Sequence, residues 1–284
     1  MKLRFTKMHG AGNDFIVIDA TREPVELPPE RWQALADRHY GIGADQILIV
    51  GKPNDPANDF SYRIVNSDGS EVEHCGNGAR AFMHFVTAKG LTTKRRVSVE
   101  IMPGLITLEM DAAGAVTAGM GVPVLDAARV PFDAAGLVSR REGELDRWPL
   151  DLGAGRTAEI GVVSMGNPHA VLRVDDVDTA PVTTDGPVVE NHPRFPRRTN
   201  VGFVQVVDEH HIRLRVWERG AGETLACGTG ACGAVVAAIL AGWVKSPVRI
   251  AARGGELSVA WAGPGSVAYL GGPTAIVFEG EVEI

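Results

Sequence analysis

Two stretches of the chain read alike: His74-Cys75-Gly76-Asn77-Gly78-Ala79-Arg80 and Ala226-Cys227-Gly228-Thr229-Gly230-Ala231-Cys232. Each carries Cys-Gly-x-Gly-Ala, and each runs into an apolar segment with helical spacing. Glycine lets a backbone approach a ligand closely, and a helix N-terminus offers N–H groups without carbonyl partners. Anions bind such ends, and a thiol placed there is expected to have a lowered pKa. One copy is compatible with chance; two copies, one in each half, suggest two thiols built for one task.

The likeness extends outward. Gly12-Asn13 and Gly166-Asn167 are 154 residues apart, as are Gln46 and Asn200, each at the head of an apolar run. Cys75 and Cys227 are 152 apart, and Asn66 and Glu218 each lie nine residues before their cysteine. Polar landmarks in one order at a near-constant offset predict duplicated halves. Met120-Gly121-Val122-Pro123 marks the expected boundary, and Leu270-Gly271-Gly272-Pro273 echoes it. The expected division is residues 1–122 with 273–284, and residues 123–272.

Within each half, short strand-like runs outnumber helices. Phe15-Ile16-Val17-Ile18 and Gln46-Ile47-Leu48-Ile49-Val50 read as buried strands, and Asn66-Ser67-Asp68-Gly69-Ser70 as a turn. Ala79, Phe82, Met83 and Val86 share one helical face, and the helix from Ala231 to Trp243 is apolar all round. The pattern predicts an α+β fold of two pseudo-symmetric domains. Each is a mixed or antiparallel sheet wrapped around a central apolar helix, with the active site in the cleft between them. Residues 124–160 give no clear pattern.

Bulk properties exclude several classes. The chain has 284 residues, 45% of them hydrophobic, enough for one large or two medium cores. A net charge of −7, without a basic run, argues against nucleic acid. The first residues lack the apolar core of a signal peptide. The uncharged window from Leu225 to Val244 is interrupted by glycines and cysteines, and reads as a buried helix, not a membrane span. Three cysteines without C-x-x-C spacing predict no zinc site and no disulfide framework, hence a reducing, cytoplasmic setting.

Two thiols facing one carbon from opposite sides can invert it: one thiolate removes a proton and the other thiol returns one. The carbon must be acidic, as it is beside a carboxylate. The N–H groups of Gly76, Asn77, Gly228 and Thr229 would hold that carboxylate and stabilise the charge that develops. Cysteine suits the role because its ordinary pKa of about 8.5 is easily tuned. Neither a lysine in a cofactor-site context nor a metal-ligand cluster is evident, so no cofactor and no metal are expected.

His9-Gly10-Ala11-Gly12-Asn13-Asp14-Phe15, the Cys75 and Cys227 loops, Gly166-Asn167-Pro168-His169 and Glu218-Arg219-Gly220-Ala221-Gly222-Glu223-Thr224 together resemble the diaminopimelate epimerase family over nearly the whole chain. The resemblance implies a pyridoxal-phosphate-independent isomerase that interconverts LL- and meso-2,6-diaminoheptanedioate for lysine and peptidoglycan synthesis. It implies that Cys75 and Cys227 are the acid–base pair. Asn13, Gln46, Asn66, Asn167, Asn200, Glu218 and Arg219 would bind substrate, with Gly76-Asn77 and Gly228-Thr229 on the reacting carboxylate. His169 and Glu218 would tune the site. The expected partners are this small molecule and, as a homodimer, a second copy of the chain, with no nucleic acid or membrane. The chain departs from the family at Ile101-Met102-Pro103-Gly104, at Cys232-Gly233 and through 124–160.

Other readings compete. Proline and hydroxyproline racemases share two thiols but carry Cys-Gly-His-Gly where this chain has Cys75-Gly76-Asn77-Gly78. An anion-binding protein would use the helix ends alone and tolerate serine at either cysteine. A thiol–disulfide oxidoreductase would need C-x-x-C. Asn13 and Asn167 could be turn residues, His169 a core histidine and Glu218-Arg219 a surface pair. Cys232, one turn into its helix, reads as core.

Overall fold

A computed structural model describes residues 2–72, 76–102, 104–112 and 114–284. His74 and Cys75 of the first loop, and Pro103, lie outside the described residues. The chain divides into two compact units, Met1–Gly119 with Gly271–Ile284, and Met120–Leu270.

The first unit runs β1 (Lys2–Gly10), β2 (Asn13–Asp19), α1 (Pro29–Ala36), β3 (Gln46–Gly51), β4 (Phe60–Asn66), β5 (Glu71–Val72), α2 (Gly76–Ala88), β6 (Arg96–Ile101), β7 (Gly104–Met110) and β8 (Val116–Gly119). The second runs β9 (Arg140–Glu142), β10 (Leu145–Gly153), β11 (Arg156–Ser164), β12 (Pro168–Arg173), α3 (Val182–Glu190), β13 (Asn200–Asp208), β14 (His211–Glu218), β15 (Gly222–Thr224), α4 (Gly228–Leu240), β16 (Val248–Ala252) and β17 (Gly255–Ala260). After β18 (Tyr269–Gly272), β19 (Ala275–Glu283) returns to the first unit and pairs antiparallel with β1.

Strand pairing shows the duplication directly. From β1 to β7, following β1, β2, β3, β4, β6 and β7, neighbours pair antiparallel, parallel, antiparallel, parallel and antiparallel. From β11 to β17, following β11, β12, β13, β14, β16 and β17, the series is the same. In each unit a short strand also pairs with the fourth of these, β5 on β4 and β15 on β14. Each parallel pair at the start needs a crossover, which α1 and α3 supply.

The central strands are buried on both faces, which is why they read as continuous apolar runs. Ile47 and Ile49 of β3 join Trp32 and Leu35 of α1 in one core. Leu48 and Val50, pointing the other way by the strand period, are also fully buried. On the α2 side, Phe82 stacks on Tyr62 with ring centroids 5.1 Å apart and meets Phe60 edge-on at 5.7 Å. A buried aromatic of this kind contributes about 2–3 kcal/mol by area. In the second unit Val201 and Phe203 of β13 join Val182 and Val189 of α3. All of α4 but Thr229 and Ile239 is buried. Its small residues let strands approach: a Cβ on Gly202 would lie 4.0 Å from the Ala234 Cβ. No helix among the described residues is long and apolar enough to cross a membrane.

The structure also departs from the sequence reading. Residues 124–160 hold β9, β10 and the start of β11. Leu145 and Arg147 of β10 bury on one face and Leu150 and Leu152 on the other, and with Asp146 and Asp151 between them the composition reads polar. Pro168 and His169 of the Gly166-Asn167-Pro168-His169 motif open strand β12. The apolar helix begins at Gly228 and ends at Leu240, earlier than its apolar pattern suggests, because glycine in the first turn conceals the start.

Candidate active site

In the second unit, β14 ends at Glu218, a β14–β15 hairpin follows, and Cys227 caps α4. Cys227 has extended backbone, and its Sγ accepts from the Gly230 N–H at 3.4 Å. Gly230 must be glycine for this contact, since a Cβ there would sit 3.1–3.2 Å from Cys227 Cβ and Sγ. The Thr229 hydroxyl lies 3.5 Å from the same sulfur. The N–H groups of Gly228 and Thr229 belong to the first turn, which has no intrahelical carbonyl to bond.

The thiol differs from the sequence expectation. A helix N-terminus lowers a thiol's pKa, yet burial pushes Cys227 well above its ordinary value, and the Glu218 carboxylate adds to the rise. The hydrogen bonds from Thr229 and Gly230 oppose this without outweighing it. Desolvation of a thiolate and a facing negative charge both favour the neutral thiol. Cys227 therefore holds its proton at neutral pH.

Around it, the Asn167 amide donates to Thr229 Oγ1 at 3.3 Å, and His169 Nε2 lies 3.0 Å from Asn167 Oδ1. His169 is fully buried; burial, with the charge of Arg219, lowers its pKa to about 3, so it is neutral. Its ring lies against α4 at Gly233, where a Cβ would come within 3.1–3.3 Å of the imidazole. The unusual glycine after Cys232 thus makes room for His169. Asn200, buried at the head of β13, donates to Pro168 O at 3.1 Å and accepts from the Arg219 N–H at 3.0 Å. It braces the Glu218-Arg219 corner. Glu218 also accepts from the Thr224 hydroxyl.

In the first unit, Ala11 and Gly12 form the two-residue turn between β1 and β2, both with positive φ, and deliver Asn13. Asn13 donates to Asp45 Oδ2 at 3.0 Å and accepts from Asn77 Nδ2 at 3.4 Å. Asn77 in turn accepts from the Arg80 guanidinium at 2.7 Å, and Arg80 is fully buried. Gln46 pairs across the ladder with Asn66, and its amide donates to Asn66 Oδ1 at 3.0 Å. Gly76 and Asn77 form the buried first turn of α2. Cys75, which immediately precedes them, lies outside the described residues.

The structure therefore brings Asn13 to Asn77, and Gln46 to Asn66. In the second unit it gathers Asn167, His169, Glu218, Thr229 and Cys227, with Asn200 tied to Arg219. Sequence reasoning missed an ion cluster beside Asn13. Asp14 is bonded by Arg38 at 2.6 and 3.0 Å and by Lys7 at 2.6 Å, and Arg38 also reaches Asp45 at 2.8 Å. Burial alone would raise the Asp14 carboxyl, but Arg38 and Lys7 hold it far below the usual range. The available signal was the position of each acid, one residue after Asn13 and one before Gln46. Arg80, the last residue of the first loop motif, is a buried partner of Asn77 that the motif alone does not single out.

Comparison with solved structures bears on the fold. The fold is shared with a hydroxyproline epimerase from Agrobacterium vitis, solved with bound trans-4-hydroxy-L-proline (TM-score 0.68, 13% identity, 99% of this chain and 92% of that one). It is shared also with a PhzF-family phenazine biosynthesis protein from Bacillus anthracis (TM-score 0.67, 16% identity, both chains covered in full). The shared fold is a two-domain α+β architecture. Sequence shows the family. The family model of diaminopimelate epimerase matches residues 5–125 and 161–277. The diaminopimelate epimerase of Cupriavidus taiwanensis is 60% identical over 100% of this chain and 98% of its own, and that of Herminiimonas arsenicoxydans 57% over the whole of both. The chain belongs to the diaminopimelate epimerase family, a family of isomerases.

Proposed function

We propose that this chain is a cofactor-independent, two-base epimerase that interconverts LL- and meso-2,6-diaminoheptanedioate in lysine and peptidoglycan precursor synthesis. The observation that carries the reading is the duplicated Cys-Gly-x-Gly helix start, present once in each half of a chain of this family. Inversion needs one thiolate and one thiol at the same time. In the form in which Cys227, buried beside Glu218, holds its proton, Cys75 is the partner base, and the roles exchange in the other form. Cys75 takes the α-proton from one face and Cys227 delivers its own to the other.

The carboxylate next to the reacting carbon is held by the N–H groups of Gly76-Asn77 and Gly228-Thr229. Charge growing on it in the transition state strengthens those bonds. Asn13, Gln46, Asn66, Asn167, Asn200, Glu218 and Arg219 recognise the amino and carboxylate groups of substrate. His169, neutral and bonded to Asn167, tunes the second thiol's surroundings, as does Glu218. The chain works in the cytoplasm and assembles as a homodimer; the exposed Val277 and Phe278 of β19 supply apolar surface for a second copy to cover.

The test is to follow LL-diaminopimelate and, separately, L-proline with the purified protein, dialysed against chelator and supplied with no pyridoxal phosphate. Epimerisation of diaminopimelate alone is expected. A strict need for pyridoxal phosphate, or equal turnover of proline, would overturn the reading.

A further inference from the structure

The ion cluster of the first unit has a direction. Asp45 receives three donors: Asn13 Nδ2 and the Asp14 N–H on Oδ2, at 3.0 and 3.1 Å, and Arg38 Nη2 on Oδ1 at 2.8 Å. The Asp45 N–H returns a bond to Asp14 Oδ1 at 2.9 Å, so the two acids cap each other's backbone at the mouth of the parallel pair β2 and β3. At the far end, Arg80 donates to Asn77 Oδ1. A guanidinium only donates and a carboxylate only accepts. Between those two ends, Asn77 must turn its oxygen to Arg80 and its NH2 to Asn13. Asn13 must then turn its oxygen to Asn77 and its NH2 to Asp45. Both amides are locked in one orientation by charged groups that lie beyond them.

We propose that Asp45, held in place by Arg38, is a positioning residue for substrate recognition, acting through the Asn13 amide. The inference rests on the reading of Asn13 as a substrate-binding residue. Asp45 sets which polar atom of Asn13 meets substrate, and Arg38 fixes Asp45 by bonding it and Asp14 together. An amide cannot replace this carboxylate. All three neighbours of Asp45 are donors, so an Asn in its place would turn its NH2 against at least one of them.

The experiment compares the wild type, Asp45→Asn, Asn13→Ala and the double variant in kcat and KM for LL-diaminopimelate, with Tm measured on each. Asp45→Asn is expected to raise KM about tenfold, the scale of one charge-assisted hydrogen bond, with kcat changed less than about threefold. The double variant is expected to be no worse than Asn13→Ala, because residues in one network are not additive. A lowered Tm with unchanged KM, or penalties that multiply in the double variant, would overturn the positioning role. Should Asp45→Asn not fold, Arg38→Gln, at a half-exposed side chain, takes its place in the same cycle with the same expectations. A wild type active on diaminopimelate whose variants keep its KM defeats this inference alone; a wild type inactive on it brings down the proposed function and this inference together.

Discussion

The two units repeat one strand order around one kind of helix, yet they hold their loops by different chemistry. At the head of β2 and β3 stand Asn13, Asp14 and Asp45, with Arg38 and Lys7 tying the acids down. The positions 154 residues on from Asn13, Asp14, Arg38 and Asp45 are Asn167, Pro168, His192 and Thr199, and no ion cluster is found there among the described residues. Asn167 is held instead by a hydroxyl and a neutral imidazole, Thr229 and His169. Nine residues before the cysteines the contrast reverses: the first half has the neutral Asn66 and the second has Glu218. Duplication supplies the frame, and the charges placed on it since then make the halves unequal. In a two-thiol inversion one thiol holds a proton while the other lacks it, and each turnover exchanges the two states; the unequal charges bias which state is favoured.

The strongest way to break this comparison is to remove the thiols singly. Cys75→Ala and Cys227→Ala should each lower kcat for epimerisation by about 10³-fold or more, within the range that positioned acids and bases contribute. A racemisation assay by chiral chromatography reads this directly. Near-normal turnover by either variant would show that the two loops are not a working pair.

A second test separates the ion cluster from the rest of the fold. Asp14→Asn should cost about 2 kcal/mol at pH 7, since it takes one charged acceptor from the buried Lys7 and from the half-exposed Arg38. The sign with pH follows from the lowered Asp14 carboxyl. Its contribution is complete above the unfolded carboxyl value of about 3.9 and is lost as pH falls below that toward the much lower folded value. The Tm gap between wild type and variant, measured by calorimetry from pH 7 down to 3, should therefore stay level and narrow only at the acid end. A gap that is constant throughout would mean that the charge is not what stabilises.

Glu218→Gln sharpens the asymmetry of the thiols. Removing the facing charge should lower the Cys227 pKa, because that charge disfavours the thiolate. The pH dependence of Cys227 alkylation, followed in a Cys75→Ala background, should shift toward neutral by about one pH unit, the scale of a single nearby charge. No shift would leave burial as the sole cause.

The smallest expected effect is at Gly233. Gly233→Ala would crowd His169 at 3.1–3.3 Å and should lower kcat/KM a few-fold while changing stability by about 1 kcal/mol. A steady-state assay and a thermal melt on the same preparation distinguish a displaced imidazole from a tolerated methyl.

How much of this was legible beforehand depended on the kind of signal. The duplicated loops could be read because glycine, cysteine and asparagine recur at a fixed offset, and the strands of each parallel pair because burial on both faces leaves uninterrupted apolar runs such as Gln46-Ile47-Leu48-Ile49-Val50. Helix α3 was not legible, since Pro187 and Gly186 interrupt its pattern while Val182 and Val189 still bury. β10 was hidden because Arg147 is buried against Glu142 and Trp243, so a charge occupies a core-facing position. The raised pKa of Cys227 was misjudged from sequence for a related reason. A helix end predicts a lowered value, and only the fold shows that the sulfur is buried and that Glu218, nine residues earlier, faces it. The Asp45–Asn13–Asn77–Arg80 chain joins residues from three separate segments, the heads of β2 and β3 and the first turns of α2, and spacing along one sequence carries no trace of it.

The central claim, that the two halves each supply one proton carrier, is tested most directly by isotope position. LL-diaminopimelate is incubated with the wild type in heavy water, and product and recovered substrate are analysed by mass spectrometry at low conversion. Two separate carriers predict that the meso product carries deuterium at the inverted carbon, delivered by the second thiol, while recovered LL-substrate carries almost none. Product that retains the substrate's own proton, with the same label pattern in both isomers, would mean that a single group serves both faces, and would contradict the account.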